Sequence, residues 1–136
     1  MKKRQRVRPR SGLYRAPPLV LVVDDSPDVR ELYVACLHAA GFRTAQAENG
    51  MMALRSLQEI QPALVVLDYH MPVLDGLETA RAIKGDPRTA AIPLILASSF
   101  TLEGEVPWFE HTLSKPCSPE RLVQAVATSL AAAASA

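Results

Sequence analysis

The sequence predicts a doubly wound α/β domain built on a five-stranded parallel sheet, and three observations carry that prediction. Short apolar runs rich in β-branched residues recur along the chain, separated by segments with helical spacing. The connections between them are short, so each crossover must run back over the sheet and cover one of its faces. With both faces covered, the strands read as unbroken apolar runs rather than as alternations. A length of 136 residues suits one such domain.

The elements follow in order. Leu19 to Val23 is a continuous apolar run ended by Asp24-Asp25, the first strand. Ser26 is placed to cap a helix with Pro27 at its first position, and Val29, Leu32, Tyr33, Cys36, Leu37 and Ala40 keep helical spacing until Gly41 stops it. Arg43 to Glu48 reads as a shorter strand, Asn49-Gly50 as a turn, and Met51 to Ile60 as a helix. Leu64 to Leu67 is a buried strand ended by Asp68. A loop through Met71-Pro72 leads to Asp75, which caps a helix reaching about Lys84. The strand Pro93 to Ala97, a short strand at Thr112 to Ser114 and a helix from Pro119 to about Ala131 complete the alternation.

Charge divides the chain in two. Residues 1 to 17 hold seven of the fifteen basic residues and no acidic one, whereas the remainder sets eight basic against fourteen acidic residues, a net charge of −6. Pro9, Ser11, Gly12, Pro17 and Pro18 break periodicity in the first stretch, so residues 1–17 are expected to be a disordered basic arm. The folded domain is expected over 18–131, with 132–136 a frayed alanine-rich tail. No apolar run approaches the ~20 residues needed to cross a bilayer, and the basic start has no apolar core of a secretory signal. A soluble cytoplasmic protein is the expectation. Cys36 and Cys117 have no metal-ligand or disulfide spacing and read as free thiols.

In open parallel sheets, ligands bind beyond the carboxyl ends of the strands, where Asp24, Asp25, Asp68 and Ser98 fall. Three carboxylates in one cleft repel by up to ~4 kcal/mol for each pair 4 Å apart at an effective dielectric of about 20. A cation must sit among them. Oxygen donors suit a small hard ion such as Mg²⁺, and Lys115, at the end of the fifth strand, supplies a second positive charge. A carboxylate so held can attack a phosphoryl group and form an acyl phosphate. Asp24 and Asp25 also fit the role of helix caps, but one cap does not need two acids.

These residues have a familiar arrangement. Asp24-Asp25, the D-x-x-M-P-x-x-D-G pattern from Asp68 to Gly76, Ser98, and Lys115-Pro116 occur in order at successive strand ends. Over residues 18 to about 131 the chain resembles response-regulator receiver domains of two-component signalling, of the single-domain chemotaxis-Y-like type. The resemblance implies a flavodoxin-like strand order 2-1-3-4-5. It implies that Asp68 accepts phosphate from a histidine kinase or phosphotransfer protein. Asp25, Asp68 and the backbone carbonyl of His70 would ligate Mg²⁺, with Asp24 acting mainly through a metal-bound water. Ser98 would bond a phosphoryl oxygen and Lys115 would pair with the phosphate, aimed by a cis bond before Pro116. The side chain of His70, two residues after the acceptor, occupies a position that tunes dephosphorylation in the family. Such a chain is a switch with self-phosphorylating and self-dephosphorylating chemistry, not an enzyme with a separate substrate.

The chain also departs from that pattern. Ser98 and Lys115 are seventeen positions apart, shorter than usual by about one helical turn, and Glu103 to Pro107 is a poor helix sequence. The fourth helix is therefore expected to be short or irregular. Thr112 stands where family members carry an aromatic switch residue, while Trp108 and Phe109 are expected to fill core space, with an exposed partner contact as the alternative. Too few residues follow Ala131 to build an output domain, so a stand-alone receiver, monomeric or weakly dimeric, is expected to signal to a downstream protein partner. The alternatives are a phosphorylation-independent scaffold or dimerisation module, and a regulator whose basic arm contacts nucleic acid. A Mg²⁺-dependent phosphohydrolase fits less well, because His70 stands where those enzymes place a second acid.

Overall fold

The computed structural model describes residues 16–100 and 107–135. Five strands, β1 (Leu19–Val23), β2 (Arg43–Ala47), β3 (Leu64–Asp68), β4 (Leu94–Ser98) and β5 (His111–Ser114), form one sheet in the order β2-β1-β3-β4-β5. All pairings are parallel, in the register Val22↔Val66, Asp68↔Ala97 and Ser98↔Ser114. The helices are α1 (Pro27–Ala39), α2 (Gly50–Ser56), α3 (Gly76–Lys84) and α4 (Pro119–Ser135). Helices α1 and α4 meet on one face of the sheet, and α2 and α3 on the other. The expected fold class and strand order are both present.

The period of two along each strand divides the core. Val20, Val22, Leu64, Val66 and Ile95 point toward α1 and α4, while Leu21, Val23, Val65, Leu67, Leu94 and Leu96 point toward α2 and α3. Each such aliphatic side chain contributes about 1.5–3 kcal/mol on full burial, so slipping a strand by one residue would transfer the whole set to the wrong layer. Trp108 and Phe109 pack, half-buried, against the second layer, as core residues. No helix among the described residues is long and apolar enough to cross a membrane.

Several boundaries differ from the sequence expectation. Asn49 is not a turn residue but the N-cap of α2, its side chain accepting from Met52 N–H at 2.8 Å, and Gly50 is the first helical residue. That helix ends at Ser56 and not at Ile60. The N–H groups of Gln58 and Glu59 bond three residues back instead of four, a tightening that precedes Pro62 and its demand for extended backbone. At the other end of the chain, α4 continues through Ser135, where a frayed tail was expected. Alanine is the best helix former, and Ser135 Oγ donates to the Ala131 carbonyl at 3.0 Å. Between β4 and β5, Ser99, Phe100 and Glu110 form bends and Pro107 and Trp108 a turn. The rest of the expected short fourth helix, residues 101–106, lies outside the described residues, as do residues 1–15 of the basic arm.

Tyr33 of α1 is 4% exposed within the layer shared with α4. Burial pushes its hydroxyl up to about 12, with Lys115 pulling the other way and Cys117, Asp24 and Asp68 adding to the rise. A raised value means the folded chain keeps its proton after the unfolded chain has lost it. The contribution is intact below about pH 10 and disappears as pH rises toward 12, a loss of up to ~2–3 kcal/mol. Tyr33→Phe removes this dependence. Urea midpoints of the two proteins measured from pH 9 to 12 are expected to separate progressively, with wild type falling faster; parallel curves would refute the assignment.

Candidate functional site

Every polar group of the site sits at the carboxyl end of a strand. β1 delivers Asp24 and Asp25, and β3 ends on Asp68. β4 ends on Ser98, and Lys115 directly follows β5. The Lys115 backbone N–H donates to the Ser98 carbonyl at 2.9 Å, tying the ends of β4 and β5 together. The Lys115–Pro116 peptide bond is cis.

Asp24 is 1% exposed and anchored on all sides. Its N–H donates to the Ala47 carbonyl at 3.2 Å, its Oδ1 accepts from Ser26 N–H at 2.9 Å, and its Oδ2 accepts from Lys115 Nζ at 2.9 Å. Lys115 Nζ also donates to Asp68 Oδ1 at 3.0 Å. One ammonium thus bridges the two buried carboxylates, and Asp25 is exposed beside them. Burial raises the Asp68 pKa, the negative charges of Asp24 and Asp25 add to the rise, and Lys115 opposes it. Burial pulls Lys115 down, but its hydrogen bonds to Asp24 and Asp68 outweigh that and the net shift is upward.

One oxygen from each of Asp24, Asp25 and Asp68 lies within 4.8 Å of the others. Three carboxylates against one ammonium leave two negative charges uncompensated among these side chains. Hard oxygen donors and a net charge of that size suit a divalent cation such as Mg²⁺. Asp25, Tyr69, His70, Met71, Pro72 and Asp75 line an open cleft of about 430 Å³ beside the cluster.

The loop after Asp68 is held by α3. Asp75 caps that helix through a reciprocal box with Glu78: the Asp75 side chain accepts from Glu78 N–H at 2.8 Å, and Glu78 Oε1 accepts from Asp75 N–H at 2.9 Å. Gly76 N–H donates to the Tyr69 carbonyl at 2.9 Å. A Cβ at Gly76 would lie 2.6 Å from the Asp68 carbonyl oxygen and 2.9 Å from Tyr69 Cα, both backbone atoms that cannot swing aside. Gly76→Ala is therefore expected to push α3 away from the end of β3, costing about 1–3 kcal/mol. Thermal unfolding checks the cost, and an unchanged midpoint would show that the loop gives way instead.

The structure brings Asp24, Asp25, Asp68 and Lys115 together, and His70 lines the cleft beside them. Ser98 is 2% exposed, but its hydroxyl is turned to its own loop: Oγ donates to the Phe100 carbonyl at 2.9 Å and accepts from Phe100 N–H at 3.0 Å. The Phe100 ring, 56% exposed, lies 5.1 Å from the His70 ring, which is 5.4 Å from that of Tyr69. Two residues were not legible as site residues. Phe100 carried no motif, and Arg30, whose guanidinium donates to the Asp24 carbonyl at 2.7 Å, looks in sequence like any solvated arginine on a helix.

Comparison with known proteins agrees with this geometry. The family model described as "Response regulator receiver domain" matches residues 20–127. Protein PilH of Pseudomonas aeruginosa is 31% identical over 117 residues, 82% of this chain and 97% of that protein. The phosphate regulon transcriptional regulatory protein PhoB of the same species is 32% identical over 109 residues, 76% of this chain but 48% of PhoB, so the chain spans about half of that relative. Among solved structures, chemotaxis protein CheY4 of Vibrio cholerae superposes with a TM-score of 0.79 at 27% identity, covering 84% of this chain and 99% of CheY4. With the five-stranded order, the acidic cluster and the bridging lysine in place, these matches make the chain a member of the response-regulator receiver domain family.

Proposed function

We propose that the chain is a phosphorylation-driven switch in which Asp68 accepts a phosphoryl group from a phosphohistidine on a histidine kinase or phosphotransfer protein. The observation that carries this reading is the state of the Asp68 carboxylate. It is buried at the end of β3, and Oδ1 is held by Lys115. Oδ2 has no hydrogen-bond partner among the described residues, which leaves it as the nucleophile. Its attack forms an O–P bond as the P–N bond to the donor imidazole breaks, the electron pair returning to the ring nitrogen. Lys115 stays bonded to the acceptor and offsets negative charge on the transferring oxygens. Asp24, Asp25, Asp68 and the His70 carbonyl would hold Mg²⁺, which when bound supplies further charge neutralisation for phosphoryl transfer. Attack of water on phosphorus returns Asp68 to its carboxylate and releases inorganic phosphate, so the chain resets itself and is a switch, not an enzyme with a separate substrate.

The signal would pass to a protein partner in the cytoplasm through the β4–β5 connection. To donate to a phosphoryl oxygen, Ser98 must give up its bond to the Phe100 carbonyl, and Phe100 lies against His70. This route does not need an aromatic residue at Thr112, which is exposed. Incubation with acetyl phosphate and Mg²⁺, read by intact mass, tests the reading. One added phosphoryl group is expected, lost when EDTA replaces Mg²⁺; no addition under either condition would leave a phosphorylation-independent scaffold.

A further inference from the structure

Arg30 belongs to the first turns of α1 and would ordinarily be counted as a solvated surface residue. Its guanidinium instead reaches back to the end of β1. Nη1 donates to the Asp24 carbonyl at 2.7 Å, while Nε donates to Gln46 Oε1 at 3.2 Å. That carbonyl belongs to the peptide joining Asp24 to Asp25. One arm of the guanidinium therefore holds the carbonyl of this peptide, and Gln46 on β2 braces the other from the neighbouring strand.

The two acids depend on this grip unequally. Asp24 is fixed by its own N–H, both carboxylate oxygens and its carbonyl. The exposed Asp25 carboxylate has no hydrogen-bond partner among the described residues. Its backbone holds it toward Asp24 and Asp68: Ser26 N–H, bonded to Asp24 Oδ1, fixes the peptide after it, and Arg30 fixes the peptide before it. We infer that Arg30 is a positioning residue for the divalent-cation site: it fixes the Asp24–Asp25 peptide so that the otherwise unsupported Asp25 carboxylate is pre-organised as a ligand. The inference rests on the reading of this cluster as a cation site.

Charge and geometry make opposite predictions, which allows a clean decision. A guanidinium near the cluster repels a cation, so if Arg30 acted only through charge its removal would tighten Mg²⁺ binding. If it acts by positioning, removal loosens binding despite the lost repulsion. The experiment is calorimetric titration of the full chain with MgCl₂, with thermal unfolding in EDTA run alongside to separate loss of fold from loss of the site. Arg30→Met is expected to raise the dissociation constant about 5- to 10-fold. Arg30→Lys keeps the charge but cannot hold the carbonyl and Gln46 together, and is expected to fall between Met and wild type. Gln46→Met keeps Arg30 and removes its brace, giving a smaller loss in the same direction, and serves as the test should Arg30→Met fail to fold. Unchanged or tighter Mg²⁺ binding in folded Arg30→Met, or in Gln46→Met where that variant stands in, overturns the positioning role. A wild-type chain that binds no Mg²⁺ overturns the cation-site reading itself, and the inference with it.

Discussion

Asp68→Asn is expected to abolish phosphoryl addition from acetyl phosphate and, in metal-free buffer at neutral pH, to raise the melting temperature. The first effect follows from loss of the nucleophilic oxygen, since the amide nitrogen that replaces it forms no acyl phosphate. The second follows from charge. In the metal-free fold, burial and the neighbouring Asp24 and Asp25 raise the Asp68 pKa in spite of Lys115, so the folded chain binds a proton that the unfolded chain has released. Stability held below the ordinary carboxylate range, about pH 4, is then lost as pH rises through the raised value. Asparagine carries no charge and escapes that loss. Wild type and variant should unfold at similar temperatures near pH 4 in EDTA and diverge toward pH 7, with the variant higher. Added Mg²⁺ should stabilise wild type more than the variant, because ligand binding to the native state adds RT ln(1 + [L]/Kd). Retained phosphorylation would move the acceptor elsewhere, and a variant less stable than wild type in EDTA would mean that Lys115 more than offsets the burial of Asp68.

The fold and most of the site were legible for one physical reason. A doubly covered parallel strand must be apolar along its length, so the first polar residue after each run marks the sheet edge where ligands bind. That reasoning places Asp24, Asp25, Asp68 and Ser98 at one end of the sheet, while Lys115 follows the polar strand β5 and is placed there by the alternation of elements. Local ambiguity caused the boundary errors: asparagine suits both a turn and an N-cap, and at Asn49 the cap won because its side chain reached Met52 N–H. The alanines after Leu130 looked featureless, yet alanine propensity carries α4 to Ser135. What sequence could not show was where flexible polar side chains turn. Ser98 lies at the expected strand end but bonds Phe100, and Arg30 reaches the Asp24 carbonyl and not water. Those choices depend on backbone groups that only the assembled loops bring within 3 Å.

Lys115→Met is the second large effect, and its size comes from the same unequal charges seen from the other side. The ammonium is the only cation bonded to the side-chain carboxylates of Asp24 and Asp68 among the described residues, at 2.9 and 3.0 Å, with side-chain exposure of 17% against 2% and 5% for the two acids. Deleting one partner of a buried pair costs about 3–5 kcal/mol, and the partial exposure of Lys115 places this case at about 2–4 kcal/mol in EDTA at neutral pH. Mg²⁺ should recover more stability in this variant than in wild type, because the cation then meets carboxylates whose charge nothing else offsets. Its rescue of phosphorylation should be incomplete: Mg²⁺ supplies charge, but the hydrogen bond at Asp68 Oδ1 is gone, and a rate loss on the order of 100-fold is expected. The double variant Lys115→Met/Asp68→Asn decides between packing and charge. If the cost is electrostatic, removing the Asp68 charge leaves one buried acid in place of two that repel, and the Lys115→Met penalty shrinks by about 1–3 kcal/mol in that background. An equal penalty in both backgrounds would mean that the aliphatic stem of Lys115, packed at the end of β5, carries its contribution instead.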